Sequence, residues 1–81
     1  MNKYQVIFFV ENSEAQRVLM LSDEEETSKV KQMLLQQIST ASASTQLFVI
    51  PCAETGEDVA IKGTAIVGYR LKYVGKVKAD E

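Results

Sequence analysis

Leu21-Ser22-Asp23-Glu24-Glu25-Glu26-Thr27-Ser28-Lys29-Val30-Lys31-Gln32-Met33-Leu34-Leu35-Gln36-Gln37-Ile38-Ser39-Thr40-Ala41 is the stretch that decides the fold. Val30, Met33, Leu34, Ile38 and Ala41 recur at helical spacing and form one apolar stripe, with Lys31, Gln32, Gln36 and Gln37 on the remainder. Ser22 suits an N-cap, and Glu25 three residues on completes a capping box. Residues 23–26 would then place four acids against the positive end of the helix dipole. Leu35 lies off the centre of the stripe, which marks it as a widening of the buried face or as a contact with a second subunit. Residues 39–45, small and rich in hydroxyls, compete for backbone hydrogen bonds and read as the loop that ends the helix.

On either side of this helix the period changes from helical spacing to strict alternation. Residues 3–11 place Tyr4, Val6, Phe8 and Val10 on one face of a strand and Gln5, Ile7, Phe9 and Glu11 on the other. Asn12-Ser13-Glu14 supplies turn chemistry into a returning strand over residues 16–21. After the helix, residues 46–50 form a strand stopped by Pro51, and a polar turn containing Gly56 leads into a strand over residues 59–62. The longest strand covers residues 65–74, with Gly68 inside it marking a bulge or a close approach.

The expected fold is therefore α+β: a mostly antiparallel sheet of four or five strands with one helix packed on one face, in the order strand-strand-helix-strand-strand-strand. Val30, Leu34 and Ile38 should pack against Val6, Phe8 and Leu19 or their strand neighbours. With 81 residues the chain forms one domain, expected over residues 1–75, followed by a frayed tail over 76–81. One helix covers one sheet face, yet Ile7 and Phe9 are apolar on the other. Either the sheet curls into a half-barrel, or two chains pack against each other. Ile7, Phe9 and Leu35 are thus the candidate interface, and a homo-oligomer or another protein is the expected partner.

Composition narrows the chemistry. There is no histidine, which removes the usual general base and the commonest transition-metal ligand. Cys52 is the single cysteine, so no intramolecular disulfide forms, and a reducing, microbial cytoplasm is the expected setting. It follows Pro51, with no basic residue before Lys62, and reads as a structural thiol. Glu54, Glu57 and Asp58 share a loop and read as solvated turn acids. The four glycines lack the spacing of a phosphate loop. The expectation is a noncatalytic protein with no cofactor and no metal. Val6 to Val10 is too short for a signal-peptide core, and no run reaches the roughly 20 apolar residues of a membrane-spanning helix.

One asymmetry stands out. Five basic residues, Lys62, Arg70, Lys72, Lys76 and Lys78, fall between Val59 and Ala79 with no acid among them, while seven of the eleven acids lie between Glu11 and Glu54. These five are the candidate nucleic-acid contact. Arg70 and Lys72 share a strand face, with Tyr69 and Tyr73 on the opposite one, which separates the cations from the rings that would stack on bases. The first reading is a small, self-associating interaction module of adaptor or regulatory kind. The alternative is a nucleic-acid-binding accessory protein using the basic C-terminal strand.

Overall fold

The structure, a computed structural model, describes residues 1–77. It contains β1 (Asn2–Val10), β2 (Gln16–Ser22), α1 (Thr27–Ala43), β3 (Leu47–Pro51), β4 (Asp58–Lys62), a short 3-10 turn (Gly63–Ala65) and β5 (Ile66–Lys76). The fold is α+β with one helix and five antiparallel strands, as the alternation and the helical stripe predict. The strands divide into a three-stranded sheet ordered β2-β1-β5 and a two-stranded β3-β4 sheet.

β1 is the central strand of the larger sheet. Its register pairs Tyr4, Val6 and Phe8 with Met20, Val18 and Gln16 on one side and with Tyr73, Leu71 and Tyr69 on the other. Tyr4, Val6 and Phe8 are 0% exposed. Two elements cover this face. Leu34 and Ala41 of α1 and Phe48, Ile50 and Ile61 of the smaller sheet all join its core, with the Phe8 and Phe48 rings meeting edge to face at 5.2 Å. The smaller sheet thus curls over the larger one, and both bury their inner faces within a single chain.

The helix begins later than the capping box implies. Ser22 pairs with Asn2 as the last residue of β2, and its hydroxyl accepts the Glu24 N–H at 3.1 Å. Buried Asn2 donates its side-chain amide to the Glu24 carbonyl at 3.0 Å, holding residues 23–26 outside the helix. The N-cap is Glu26, without a side-chain capping bond, and no acid lies in the first turn. Tertiary pairing with β1 outweighs the local cap. Lys29 instead lies 4.0 Å from Glu24 and 3.9 Å from Glu26.

The helix also ends later than its hydroxyl-rich sequence suggests, running through Ala43. Ala41 is buried where the 3-10 turn crosses the helix. A Cβ on Gly63 would lie 2.6 Å from the Ala41 carbonyl carbon, so only glycine fits there. Thr45 then takes a left-handed φ of 55°, and the Gln46 N–H reaches back to the Ala41 carbonyl at 2.9 Å, the long bond of a Schellman closure.

Other departures are smaller. β5 continues to Lys76, and the Val77 N–H donates to the Met1 carbonyl at 2.7 Å, so the strand reaches two residues past its expected end. The remainder of the expected tail, residues 78–81, lies outside the described residues. Leu19 pairs with Gln5 and so belongs to the face opposite Val6 and Phe8, where the turn at Ala53 and Glu54 covers it. Register shifts between Lys3 and Tyr4 and between Phe9 and Val10 place bulges at Val74 and Val67, one of them next to Gly68.

Three substitutions test these junctions. Gly63→Ala should destabilise the fold by about 1 to 3 kcal/mol or more, because helix and turn must separate. Gly68→Ala, whose Cβ would meet only Phe9 at 3.8 Å, should be far milder. Thr45→Gly should stabilise by about 0.5 to 1 kcal/mol, since it removes left-handed strain at a β-branched residue against a modest entropic cost. Urea midpoints of the three variants decide both points.

Candidate functional site

The outer face of the larger sheet follows from β1 being central. The residues opposite Tyr4, Val6 and Phe8 are Lys3, Gln5, Ile7 and Phe9. In register with them lie Arg17 and Leu19 on β2 and Gly68, Arg70 and Lys72 on β5. Ile7 therefore stands between Arg17 and Arg70 and is half-buried there. The aliphatic stems of long cationic side chains can shelter an apolar neighbour while their heads stay in water. Phe9 is 36% exposed, with the Arg70 guanidinium 5.7 Å above its ring. Arg17 meets Glu54 at 3.4 Å, a solvent-exposed pair.

Leu35 does not join Ile7 and Phe9. It is 53% exposed on α1, which packs against the inner face of the sheet, whereas Ile7 and Phe9 lie on the outer one. The five basic candidates are similarly dispersed. Arg70 and Lys72 share the outer face of β5, and Tyr69 and Tyr73 lie on its inner face, as the alternation predicts. Lys62 is on β4, in the other sheet. Lys76 borders a hollow with Asp23 and Glu25 at the opposite end of the molecule. Lys78 lies outside the described residues.

The smaller sheet carries a surface that alternation alone does not reveal. Phe48, Ile50 and Ile61 face inward, so the opposite set, Leu47, Val49 and Pro51 on β3 and Asp58, Ala60 and Lys62 on β4, faces outward. Leu47 is 63% exposed and Val49 52%. Their register partners are Lys62 and Ala60, and Pro51 is paired with Asp58. The result is an apolar centre with a carboxylate at one end of β4 and an ammonium at the other. Beside Leu47 a groove lined by Met33, Gln36, Gln37 and Thr40 continues the surface onto the helix.

Cys52 is buried just after β3. Its thiol is held down to about 7, chiefly by a hydrogen bond from the Leu19 backbone, then by the backbone of Thr55 and Glu54 and by the Thr55 side chain, against the opposing effect of burial. No cation is needed, which is why the search for a neighbouring basic residue in the sequence misses the effect. The Cys52 N–H donates to the Glu57 carbonyl at 2.8 Å and the Gly56 N–H to the Cys52 carbonyl at 2.9 Å, so the turn folds back on this residue. The acidic trio of this loop is divided: Glu54 pairs with Arg17, Glu57 holds the turn through its backbone, and Asp58 opens β4. Among the described residues no group of cysteine and carboxylate side chains is arranged to hold a metal. No helix among them is long and apolar enough to cross a membrane. In comparisons with protein-family models, with curated proteins and with solved structures, the chain matches none.

The Cys52 environment gives a pH prediction. A folded thiol pKa below the unfolded value adds stability at pH above the unfolded value, and that stability is lost as pH falls through about 7. The stability of the wild type minus that of Cys52→Ala should therefore rise between pH 6 and pH 9. A flat difference in urea denaturation across this range would remove the thiolate from the amide cluster.

Proposed function

We propose that the protein is a noncatalytic interaction module that pairs with a second copy of itself through the outward face of the β3–β4 sheet. The observation that carries this reading is the self-complementarity of that face. Asp58, Ala60 and Lys62 lie in line, with Val49 beside Ala60. A two-fold axis through the centre of this row brings Asp58 of each copy to Lys62 of the other and stacks the apolar centres together. Neither Asp58 nor Lys62 forms an ion pair among the described residues, so both are free to meet a partner. Met33 and the groove beside Leu47 extend the contact, which helps because stable interfaces bury roughly 800 Å² per partner.

This reading puts the contact on β3–β4 instead of at Ile7 and Phe9 for an electrostatic reason. Packing two copies through the outer face of the larger sheet would juxtapose Lys3, Arg17, Arg70 and Lys72 with the same residues of the other copy. Like charges directly opposed disfavour that arrangement, and the Arg70–Phe9 contact already occupies part of the apolar surface.

Sedimentation equilibrium tests the proposal. The wild type should dimerise, Val49→Glu should be monomeric, and Phe9→Glu should dimerise as the wild type does. Asp58→Lys alone and Lys62→Asp alone should each weaken the dimer about 2- to 10-fold, and the two together should restore it, since the swap re-creates both cross-axis pairs. A monomeric wild type would end the self-association reading, and a dimer unaffected by Val49→Glu would move the contact off the β3–β4 face.

A further inference from the structure

β5 is an eleven-residue strand at the edge of the larger sheet, paired on one side with β1. On its other side no backbone hydrogen bond joins it to another strand among the described residues. The register fixes which groups are available. The Leu19 carbonyl points away from β1, accepting the Ala53 N–H at 2.7 Å, so the opposed Gln5 directs its backbone groups toward β5 and bonds with Lys72. Alternation then places the N–H and C=O of Tyr69, Leu71 and Tyr73 on the open edge. Their side chains lie on the inner face, with Tyr73 47% exposed, while those of Arg70 and Lys72 lie on the outer face.

From this placement we infer that the open edge of β5 accepts an extended segment of a partner protein in which acidic residues alternate with apolar ones. The backbone of the segment would extend the sheet by one strand. On its outer face the acidic side chains would lie beside Arg70 and Lys72. Neither cation has an ion-pair partner among the described residues, and the face they border carries Lys3 and Arg17 as well. On the inner face the apolar side chains would lie beside Leu71 and the exposed part of Tyr73. The same charges explain why a second copy is the wrong occupant. Antiparallel pairing of β5 with itself about Leu71 sets Arg70 opposite Lys72 twice, and basic residues on an edge strand are a common barrier to such pairing. This surface is separate from the β3–β4 face, so the inference does not depend on self-association.

The test is a titration of the isotopically labelled full chain with three probes: a short peptide of alternating glutamate and valine, its lysine and valine counterpart, and single-stranded polythymidine. The glutamate peptide should bind, slow amide exchange at Tyr69, Leu71 and Tyr73, and weaken about tenfold or more as salt rises from low to high. The paired change Arg70→Glu with Lys72→Glu should reverse the preference to the lysine peptide. Repeating the titration in the Val49→Glu background separates the result from dimerisation. Failure of the glutamate peptide to bind, binding without protection of those three amides, or binding unaffected by the charge reversal would each overturn the inference. So would protection of the same amides by polythymidine alone, which would give the edge to nucleic acid.

Discussion

Everything in this fold depends on the dry face of β1. Tyr4, Val6 and Phe8 are fully excluded from water, and each apolar side chain so buried contributes about 1.5 to 3 kcal/mol, a large share of what a domain of this size has available. The described residues supply one helix and one spare hairpin with which to cover that face. Both are used on it: α1 through Leu34 and Ala41, and β3–β4 through Phe48, Ile50 and Ile61. Apart from Leu19, which the turn at Ala53 and Glu54 covers, the outer face is left to water, and the residues there are what a solvated strand face tolerates. Arginine and lysine stand at the sides, with Ile7 sheltered between two arginines.

Much of this architecture was legible because its governing signals are local periods. Alternation located all five strands, and the stripe of Val30, Met33, Leu34, Ile38 and Ala41 gave the buried side of α1 through Val30, Leu34 and Ala41, whereas Met33 at its margin is 51% exposed. The helix ends were misplaced because each is set by a residue distant in sequence. At the start, Asn2 claims Ser22 as a strand partner and the Glu24 carbonyl as an acceptor, so the acids that look like a first turn are held outside it. At the end, the small residues that weaken a helix in isolation are what allow Gly63 to cross at Ala41. Leu19 illustrates the same limit, since its burial depends on a turn more than thirty residues later closing over the opposite sheet face.

Sites were less legible than elements. The basic character of β5 is plain in the sequence, and so is the separation of Arg70 and Lys72 from the tyrosines, because both follow from alternation within one strand. Which cations stand together is a matter of topology, and it puts Lys62 in one sheet and Lys76 beside Asp23 and Glu25. The lowered Cys52 pKa comes from backbone groups of Leu19, Thr55 and Glu54, which carry no signature of residue type. The outward face of β3–β4 required the cross-strand register, because Asp58 and Lys62 look like ordinary strand termini until Val49 is known to lie beside Ala60.

The two open surfaces differ in the physics that would fill them. The β3–β4 face is apolar at its centre, and its gain on association is the release of water from Leu47, Val49, Pro51 and Ala60, a contribution that salt does not screen. Its charges set orientation more than strength, since an exposed ion pair is worth about 0 to 1 kcal/mol. The β5 edge offers directional hydrogen bonds from Tyr69, Leu71 and Tyr73 beside cations that have no ion-pair partner among the described residues, and charge attraction there falls away over roughly 8 to 10 Å at moderate ionic strength. On the two proposals, the apolar self-complementary face would select a copy of the same chain, whereas the basic strand edge would repel that copy and favour an acidic strand of another protein. The bulges at Val67 and Val74 bound the regular part of that edge to the span from Tyr69 to Tyr73, so a segment docked there would align over only a few residues, and its charge pattern, more than its length, would be the basis of selection.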